Sequence, residues 1–186
     1  MSKKIIFIDL DGTLIDTHSG ETFPRGVWDM SIKWDMWKAL KSFVKDNKTE
    51  FVCIVTNQGG IESGYVDEEN WFDKFRYVQS ALQEYLNQGN DLDVEVYGEY
   101  CISNDKDCDN RKPNSGMLRH FLSTIDGWDD YNDINYVSKS EMIMIGDASG
   151  KPNDFSDSDK KTADNFEIDY LDVNEMVRMV QNNNED

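Results

Sequence analysis

Short apolar runs along the chain predict the strands of a sheet. Residues 5–8, 51–55 and 142–145 form continuous apolar runs that are rich in β-branched or long aliphatic side chains, and residues 94–97 form a weaker fourth run. Continuous apolar strands are typical of a sheet that is covered on both faces. The pattern therefore predicts four buried strands, one of them at the N-terminus.

Helical periodicity fills the segments between these runs. Apolar residues recur every three or four positions in residues 34–44, 71–86 and 115–125. Strands that alternate with helices predict an α/β, Rossmann-like fold with a mainly parallel sheet flanked by helices. Since no linker divides the chain, residues 1–180 are predicted to form a single domain and residues 181–186 a polar tail. Four tryptophans could stack on planar bases, but their helical spacing favours assignment to the core: Trp28, Trp34, Trp37 and Trp71.

Composition limits the classes of function that the chain can have. Its 186 residues include 19 Lys and Arg against 37 Asp and Glu, for a formal charge of −18. Such a chain lacks the broad basic surface of most nucleic-acid binders, but a metal-bearing cleft could still hold one phosphate. Three cysteines, an odd number, predict reduced thiols and a cytoplasmic location. The first apolar run is too short for a signal peptide or a membrane span, so no membrane contact is expected.

Polar side chains follow the predicted strands at their carboxyl ends. Asp9 and Asp11 follow the first strand, Thr56 and Asn57 the second, and Asp147 the run at residues 142–145. Lys112 precedes a predicted helix. The carboxyl ends of parallel strands lie at one edge of a sheet, where ligands bind. These side chains are therefore expected to converge there.

This set of groups suits the transfer of a phosphoryl group. A carboxylate can attack phosphorus as a covalent nucleophile, and a second carboxylate can act as general acid and base. Mg²⁺ prefers hard oxygen ligands and offsets the repulsion between a carboxylate and a phosphate dianion. A lysine and a hydroxyl can stabilise the equatorial phosphate oxygens. The expected cofactor is therefore Mg²⁺.

The longer motifs resemble those of a known family. DLDGT at residues 9–13 resembles the signature of the haloacid dehalogenase superfamily of phosphatases, which use an aspartate nucleophile. DLDGTLIDTHSGETFP, TNQGGI, RKPNSGM and GDASGKPNDFSDSDKKTADN are similar to segments of the 3′-phosphatase domain of polynucleotide kinase 3′-phosphatases. The resemblance extends over about residues 5–170, and these longer motifs are far more specific than DLDGT alone.

The resemblance implies a role for each matching residue. Asp9 would be the nucleophile and form an aspartyl-phosphate, and Asp11 would be the general acid and base. Lys112 would stabilise the intermediate and bind phosphate. Thr56 and the amide of Asn57 would bind the phosphate oxygens.

A second group of residues is implied to serve the metal or its surroundings. The metal ligands would be Asp9, Asp11 through its backbone carbonyl, and Asp147. Asp154 and Lys151 are candidates for a supporting role around the site. The remaining carboxylates of the acid-rich segment are expected mainly to be solvated at the surface: Asp157, Asp159 and Asp164.

The preferred hypothesis is a Mg²⁺-dependent phosphomonoesterase that removes the 3′-phosphate from nucleic-acid ends, with a role in the repair of those ends. No large cap domain is expected, because neither gap after the motifs has room for one, so a polymer end could reach the site. Residues 17–30 are expected to form a small flap over it. The alternatives are a small-molecule phosphatase, acting on a nucleotide, histidinol phosphate or a sugar phosphate, and a non-catalytic phosphate-binding module. The sequence indicates no oligomeric state.

Two further segments resemble known cofactor sites, but neither has all the residues that such a site requires. GDASGK at residues 146–151 is one residue too short for a phosphate-binding loop and is followed by Pro152, so no nucleotide cofactor is expected. Related small-molecule phosphatases carry a zinc cluster before the lysine motif. Here only Cys101 and Cys108 correspond to its four ligands, so these cysteines are expected to be free thiols.

Overall fold

The structure is a computed structural model, and it describes residues 2–21, 23–89, 92–126, 137–152 and 154–183. Short 3₁₀ turns lie at Val27–Asp29 and Lys139–Glu141. In chain order, the strands and helices are β1 (Ile5–Ile8), β2 (Ile15–Thr17), β3 (Met30–Ile32), α1 (Trp34–Asn47), β4 (Phe51–Asn57), α2 (Gly59–Glu62), α3 (Glu68–Asn87), β5 (Glu95–Cys101), α4 (Gly116–Asp126), β6 (Met142–Gly146), α5 (Ser158–Phe166), β7 (Asp169–Asp172) and α6 (Val173–Asn183).

Five of the strands form one parallel sheet in the order β5-β4-β1-β6-β7. The central strand β1 is completely buried, and its side chains alternate between two apolar layers. Ile6 and Ile8 pack in the layer that contains α1, α3 and α6. Ile5 and Phe7 pack in the layer that contains α4 and α5. The α/β, Rossmann-like fold with a parallel sheet flanked by helices is therefore confirmed.

All four predicted strands are present, and most differences lie in short or polar elements. Strand β5 continues to Cys101, beyond the predicted residue 97, and within it Gly98 leaves room for the ring of Phe75: a Cβ at Gly98 would lie 2.3 Å from its Cζ. Strand β7, with the sequence DYLD, was not predicted, since it is short and half acidic. Helix α6 continues to Asn183, into the segment predicted as a tail from residue 181.

A hairpin follows β1 and carries the predicted flap, residues 17–30. Strands β2 and β3 pair antiparallel, and the buried carboxylate of Asp29 organises the segment between them. Asp29 accepts hydrogen bonds from the amide and hydroxyl of Ser19, at 2.8 and 3.0 Å, and from the amide of Arg25 at 3.4 Å. Although burial acts to raise the pKa of Asp29, these donors lower it on balance, so the group stays ionised.

Helix α3 covers the outer edge of the sheet with side-chain amides. Gln79 donates to the carbonyl of Val96 at 2.9 Å, and Gln83 accepts from the amide of Val96 at 2.6 Å. Asn87 both donates to and accepts from the backbone of Val94, each at 2.9 Å. The edge backbone groups of residues 94 and 96 are thereby bonded within the domain.

The four tryptophans assigned to the core divide into two groups. Trp37 and Trp71 are buried, as predicted, but Trp28 and Trp34 are 69% and 51% exposed, so their assignment to the core was wrong. Trp28 lies in the 3₁₀ turn of the flap, and Trp34 is the first residue of α1. The polar sequence of residues 126–140 predicts a loop, and residues 127–136 of that segment lie outside the described part. Among the described residues, no helix is long and apolar enough to span a membrane.

Candidate active site

Three aspartates and one lysine come together where the carboxyl ends of β1 and β6 meet the start of α5 and the segment before α4. Lys112 Nζ lies 2.6 Å from Asp9 Oδ1 and 2.7 Å from Asp159 Oδ1, and all three side chains are buried. Carboxylate oxygens of Asp9, Asp147 and Asp159 lie within 4.8 Å of one another. We call these four residues the charge cluster. It unites the predicted residues Asp9, Lys112 and Asp147 with one that was not predicted.

Two glycines allow the carboxylates to approach the backbone closely. Gly12 has a φ of 86°, and a Cβ there would lie 2.2 Å from Asp147 Oδ2. A Cβ at Gly146 would lie 2.1 Å from Asp159 Oδ2. The glycine of the DLDGT motif thus meets both a backbone and a steric requirement.

The side chain of Asn57 fixes the backbone that carries Lys112. Its Nδ2 donates to the Lys112 carbonyl and its Oδ1 accepts from the Lys112 amide, each at 2.9 Å. The side chain of Asn57 is therefore engaged in positioning the lysine. Its predicted part in phosphate binding rests on the backbone amide alone.

Burial and mutual repulsion shift the pKa values of the charge cluster. Burial, with the nearby carboxylates of Asp159 and Asp147, raises the pKa of Asp9 despite the opposing effect of Lys112. Burial and Asp159 raise the pKa of Asp147 to about 6. Burial alone would lower the pKa of Lys112, but Asp159 and Asp9 outweigh it and raise that pKa, so the lysine stays charged. Three carboxylates therefore share one cation.

The charge cluster has the chemistry of a divalent cation site. Asp9, Asp147 and Asp159 offer hard carboxylate oxygens, which Mg²⁺ prefers, and their repulsion favours an additional positive charge. These residues could therefore hold Mg²⁺. The side chain of Asp11, also predicted to serve the metal, does not belong to this group of carboxylates. Its predicted contribution was through its backbone carbonyl.

Asp11 lies in a separate, equally buried environment. Its Oδ1 accepts from Lys74 Nζ at 3.1 Å, and its Oδ2 accepts from Gln58 Nε2 at 2.7 Å. Gln58 Nε2 also lies 2.8 Å from Thr56 Oγ1, so the predicted phosphate-binding hydroxyl is linked to Asp11 through one amide. Each carboxylate of the DLDGT motif therefore has its own lysine.

Asp154 and Lys151 lie in the loop that follows Asp147, and their contacts serve that loop and its neighbours. Asp154 accepts hydrogen bonds from Ser149 and from the amide of Lys151, and the Ser149 side chain is the largest cause of its lowered pKa. The ammonium of Lys151 lies 3.0 Å from Asp172 and 2.8 Å from Glu175. In this conformation Lys151 is paired away from the charge cluster.

Three site residues were not assigned a role from the sequence. Asp159 was expected at the surface but is 1% exposed, so that assignment was wrong. It lies on the buried face of α5, at helical spacing from Thr162 and Phe166, and this spacing was the available signal. Lys74 follows Trp71 by three residues on the apolar face of α3, and Gln58 lies within the TNQGG motif.

The cysteine pair lies beside the segment that leads to Lys112. Cys101 Sγ and Cys108 Sγ are 3.6 Å apart, and both are free thiols. Within the described part of the chain, three or more metal-ligating side chains cluster at one place, and these are Asp9, Asp147 and Asp159.

Comparison with known proteins identifies similar sequences. The family described as polynucleotide kinase 3 phosphatase matches residues 4–176. The bifunctional polynucleotide phosphatase/kinase of Schizosaccharomyces pombe is 33% identical over 174 residues, which cover 91% of this chain but only 36% of that protein. The D-glycero-beta-D-manno-heptose-1,7-bisphosphate 7-phosphatase of Pasteurella multocida is 36% identical over 155 residues, covering 78% of this chain and 71% of that protein.

A solved structure has the same fold. It is the D,D-heptose 1,7-bisphosphate phosphatase from B. bronchiseptica, complexed with magnesium and phosphate, with a TM-score of 0.62 and 17% sequence identity. The similarity covers 97% of this chain and 99% of that one.

We predict that Mg²⁺ stabilises the protein more as the pH rises. The ordinary pKa of aspartate is about 4, and that of folded Asp147 is about 6. Between these pH values the folded protein keeps a proton that the unfolded chain has lost, so stability without metal falls as the pH rises through this range. Mg²⁺ needs the deprotonated carboxylates. At saturation, the melting temperature should rise by about 5–10 °C at pH 8 and by much less at pH 5. Thermal melts with and without Mg²⁺ measure this, and an equal shift at both pH values would contradict it.

The controls for this measurement are two asparagine substitutions. Asp147→Asn should remove most of the Mg²⁺ effect. Asp157→Asn, which changes a half-exposed carboxylate of the same segment, should keep it.

We also predict that Lys112→Met destabilises the fold in a pH-dependent way. Removing one partner from a buried ion pair leaves an uncompensated charge and costs about 3–5 kcal/mol. The loss should be large at pH 8 without metal and smaller at pH 5, because protonation of Asp9 and Asp147 then relieves the repulsion. Urea denaturation of the two proteins at pH 8 and pH 5 gives the loss in free energy of unfolding at each pH. Lys161→Met, which removes a solvent-exposed partner of Asp157, is the matched control and should change little.

Proposed function

Because this chain belongs to the polynucleotide kinase 3 phosphatase family, we propose that it is a polynucleotide 3′-phosphatase that uses Mg²⁺ and an aspartyl-phosphate intermediate. The chain is a phosphatase of the haloacid dehalogenase superfamily, with the parallel α/β sheet of that fold. The observation that carries the finer proposal is a pair of exposed aromatic rings, the aromatic pair: Phe23 on the flap and Phe155 on the loop beyond Asp147. Removal of the phosphate would leave a 3′-hydroxyl, the form of the end that repair requires.

In the first half of the reaction, Asp9 attacks the phosphorus. The bond from its carboxylate oxygen to phosphorus forms while the bond from phosphorus to the 3′-oxygen breaks. Asp11 gives its proton to the departing oxygen, which leaves as the 3′-hydroxyl. Lys112, at 2.6 Å from Asp9, balances negative charge at the nucleophile and beside the phosphoryl oxygens.

In the second half, Asp11 accepts a proton from water as the water oxygen attacks phosphorus. The bond between Asp9 and phosphorus breaks, and inorganic phosphate is released. Thr56 and the amide of Asn57 bind phosphoryl oxygens. Asp9, Asp147 and the backbone carbonyl of Asp11 would hold Mg²⁺, with the carboxylate of Asp159 beside them, and the ion would supply Lewis-acid stabilisation of the phosphate charge. Asp159 holds Lys112 in place at 2.7 Å.

The aromatic pair supports a nucleic-acid end as the substrate. The rings of Phe23 and Phe155 meet edge to face with centroids 5.6 Å apart, yet these residues are 44% and 80% exposed. Phe23 precedes Pro24, whose carbonyl lies 3.4 Å from Lys74 Nζ, and Phe155 lies in the loop between Asp147 and Asp159. Exposed aromatic faces bind bases of single strands by stacking without sequence preference. A terminal base could stack on this pair while its 3′-phosphate enters the site.

The acidic surface restricts how a polynucleotide could be held. With a formal charge of −18, the chain is expected to contact only the terminal nucleotides, and not many phosphates along the strand. Few phosphate contacts release few counterions, so the affinity should depend weakly on salt. Stacking and the terminal phosphate would then provide most of the binding.

A second candidate substrate is a small sugar phosphate. The similarity to the heptose bisphosphate phosphatase of Pasteurella multocida, at 36% identity, favours it. The net negative charge is also compatible with a small, soluble substrate. This candidate gives no role to the exposed aromatic pair.

The substrate assignment predicts a clear order of activities. With Mg²⁺, phosphate release from a 3′-phosphorylated oligonucleotide should be faster than release from a 5′-phosphorylated one, a nucleoside monophosphate, histidinol phosphate or heptose bisphosphate. Asp9→Asn, which removes the nucleophile, should reduce turnover of every substrate to background. Faster turnover of a sugar phosphate with the oligonucleotide left intact would reject the nucleic-acid substrate and retain the phosphatase.

We predict that Phe155→Ala weakens binding of oligonucleotides selectively. Loss of one stacked base is worth about 1–3 kcal/mol, so KM for a 3′-phosphorylated oligonucleotide should rise by about fivefold or more. KM for glycerol phosphate, which has no base, should stay unchanged. Tyr77→Ala removes another exposed aromatic residue, on α3, and is the matched control. Equal KM changes for both substrates would contradict a stacking role.

A further inference from the structure

Lys74 is a fully buried ammonium group on the apolar face of α3. The residue is 0% exposed, and its neighbours along that face are Trp71, Phe75 and Val78, which are also buried. Its Nζ contacts two oxygen atoms: Asp11 Oδ1 at 3.1 Å and the Pro24 carbonyl at 3.4 Å. A buried ion pair contributes little net stability, because desolvation offsets the attraction, and an apolar side chain of similar size often serves as well. The stability of the helix therefore does not account for a lysine at this position.

The contacts of Asp11 show what the lysine does. One oxygen of the carboxylate is held by Lys74 and the other by Gln58 Nε2, so both ends of the group are fixed. Gln58 is itself tied to the sheet, because its backbone amide donates to the Cys101 carbonyl at 2.7 Å. With a donor on each oxygen, the Asp11 carboxylate has one defined orientation at the end of β1. A group that exchanges protons with a substrate must lie within hydrogen-bond reach of the reacting oxygen.

The same ammonium also contacts the flap. Pro24 lies between Phe23 and Arg25, whose amide is bound by the buried carboxylate of Asp29. The carbonyl of Pro24 therefore belongs to an ordered part of the flap. Lys74 bridges this part and Asp11, which lie on different segments of the chain.

We propose that Lys74 is a positioning residue that holds the Asp11 carboxylate in its proton-transfer orientation and ties that orientation to the flap. This rests on the proposed function only as far as Asp11 is the general acid and base of a phosphatase. The attack by Asp9 uses the separate charge cluster and does not depend on Lys74. Proton transfer to and from Asp11 depends on Lys74.

The first test compares leaving groups with different needs for a proton. In Lys74→Met, kcat/KM for an alkyl phosphate such as glycerol phosphate should fall by about 10–100-fold, part of the usual effect of a general acid. For p-nitrophenyl phosphate, whose leaving group needs no proton, kcat/KM should change by less than about threefold. Hydrolysis of the phosphoenzyme still needs Asp11 as base, so kcat should fall and a burst of p-nitrophenol should appear. Equal losses of kcat/KM on both substrates would overturn the proposal.

The second test is a double-mutant cycle with Asp11. Asp11→Asn alone should slow glycerol phosphate turnover strongly, and adding Lys74→Met should cause no further loss. A lysine with only a structural role would lower activity by the same factor in both backgrounds, which would reject the positioning role. The double variant removes both buried charges together, so it should fold even if Lys74→Met alone is poorly folded.

Two further variants separate positioning from folding. Lys74→Gln keeps a hydrogen-bond donor and should retain more glycerol phosphate activity than Lys74→Met. Lys41→Met removes a lysine that binds the backbone carbonyls of Tyr85 and Gln88, and it should leave the ratio of the two substrates unchanged. Thermal melts of each variant confirm that rates are compared on folded protein. If glycerol phosphate and p-nitrophenyl phosphate are hydrolysed but the 3′-phosphorylated oligonucleotide is not, the nucleic-acid proposal fails and this one stands.

Discussion

The ammonium of Lys112 among three carboxylates, two buried and one partly buried, is the interaction on which the site depends. Asp9 comes from the end of β1, Asp147 from the end of β6 and Asp159 from the start of α5. Folding brings these like charges together, and burial strengthens their repulsion because water no longer screens it. Lys112 bonds two of them directly. The remaining negative charge suits a divalent cation, whose own charge would offset the repulsion between these carboxylates and a phosphate.

The two aspartates of the DLDGT motif are neutralised from opposite sides of the sheet. Asp9 meets Lys112, which precedes α4 in one apolar layer, and Asp11 meets Lys74 on α3 in the other layer. A single residue, Leu10, lies between the two aspartates along the chain, yet their lysine partners share no contact with each other among the described hydrogen bonds. Nucleophile and proton-transfer group can therefore have different electrostatic surroundings, which their different tasks require.

The strands and the polar residues at their carboxyl ends can be predicted from the sequence, whereas charged residues that are buried on helices cannot. The strand β1 has the bounds that its apolar run indicates, and Asp9, Lys112 and Asp147 converge as expected from strand ends in a parallel sheet. Asp159 and Lys74 were missed because charged side chains on helices are usually solvated. Their burial depends on a partner distant in sequence: Lys112 is 47 residues from Asp159, and Asp11 is 63 residues from Lys74.

The amides of α3 along β5 have a consequence for how this domain meets other chains. An edge strand with unbonded backbone groups is a template on which a foreign strand can extend the sheet. Here Gln79, Gln83 and Asn87 already occupy the backbone groups of residues 94 and 96. A strand arriving at this part of the edge would have to displace three side-chain amides to gain equivalent bonds. The sheet edge at residues 94 and 96 is thus protected against pairing with a strand of another molecule.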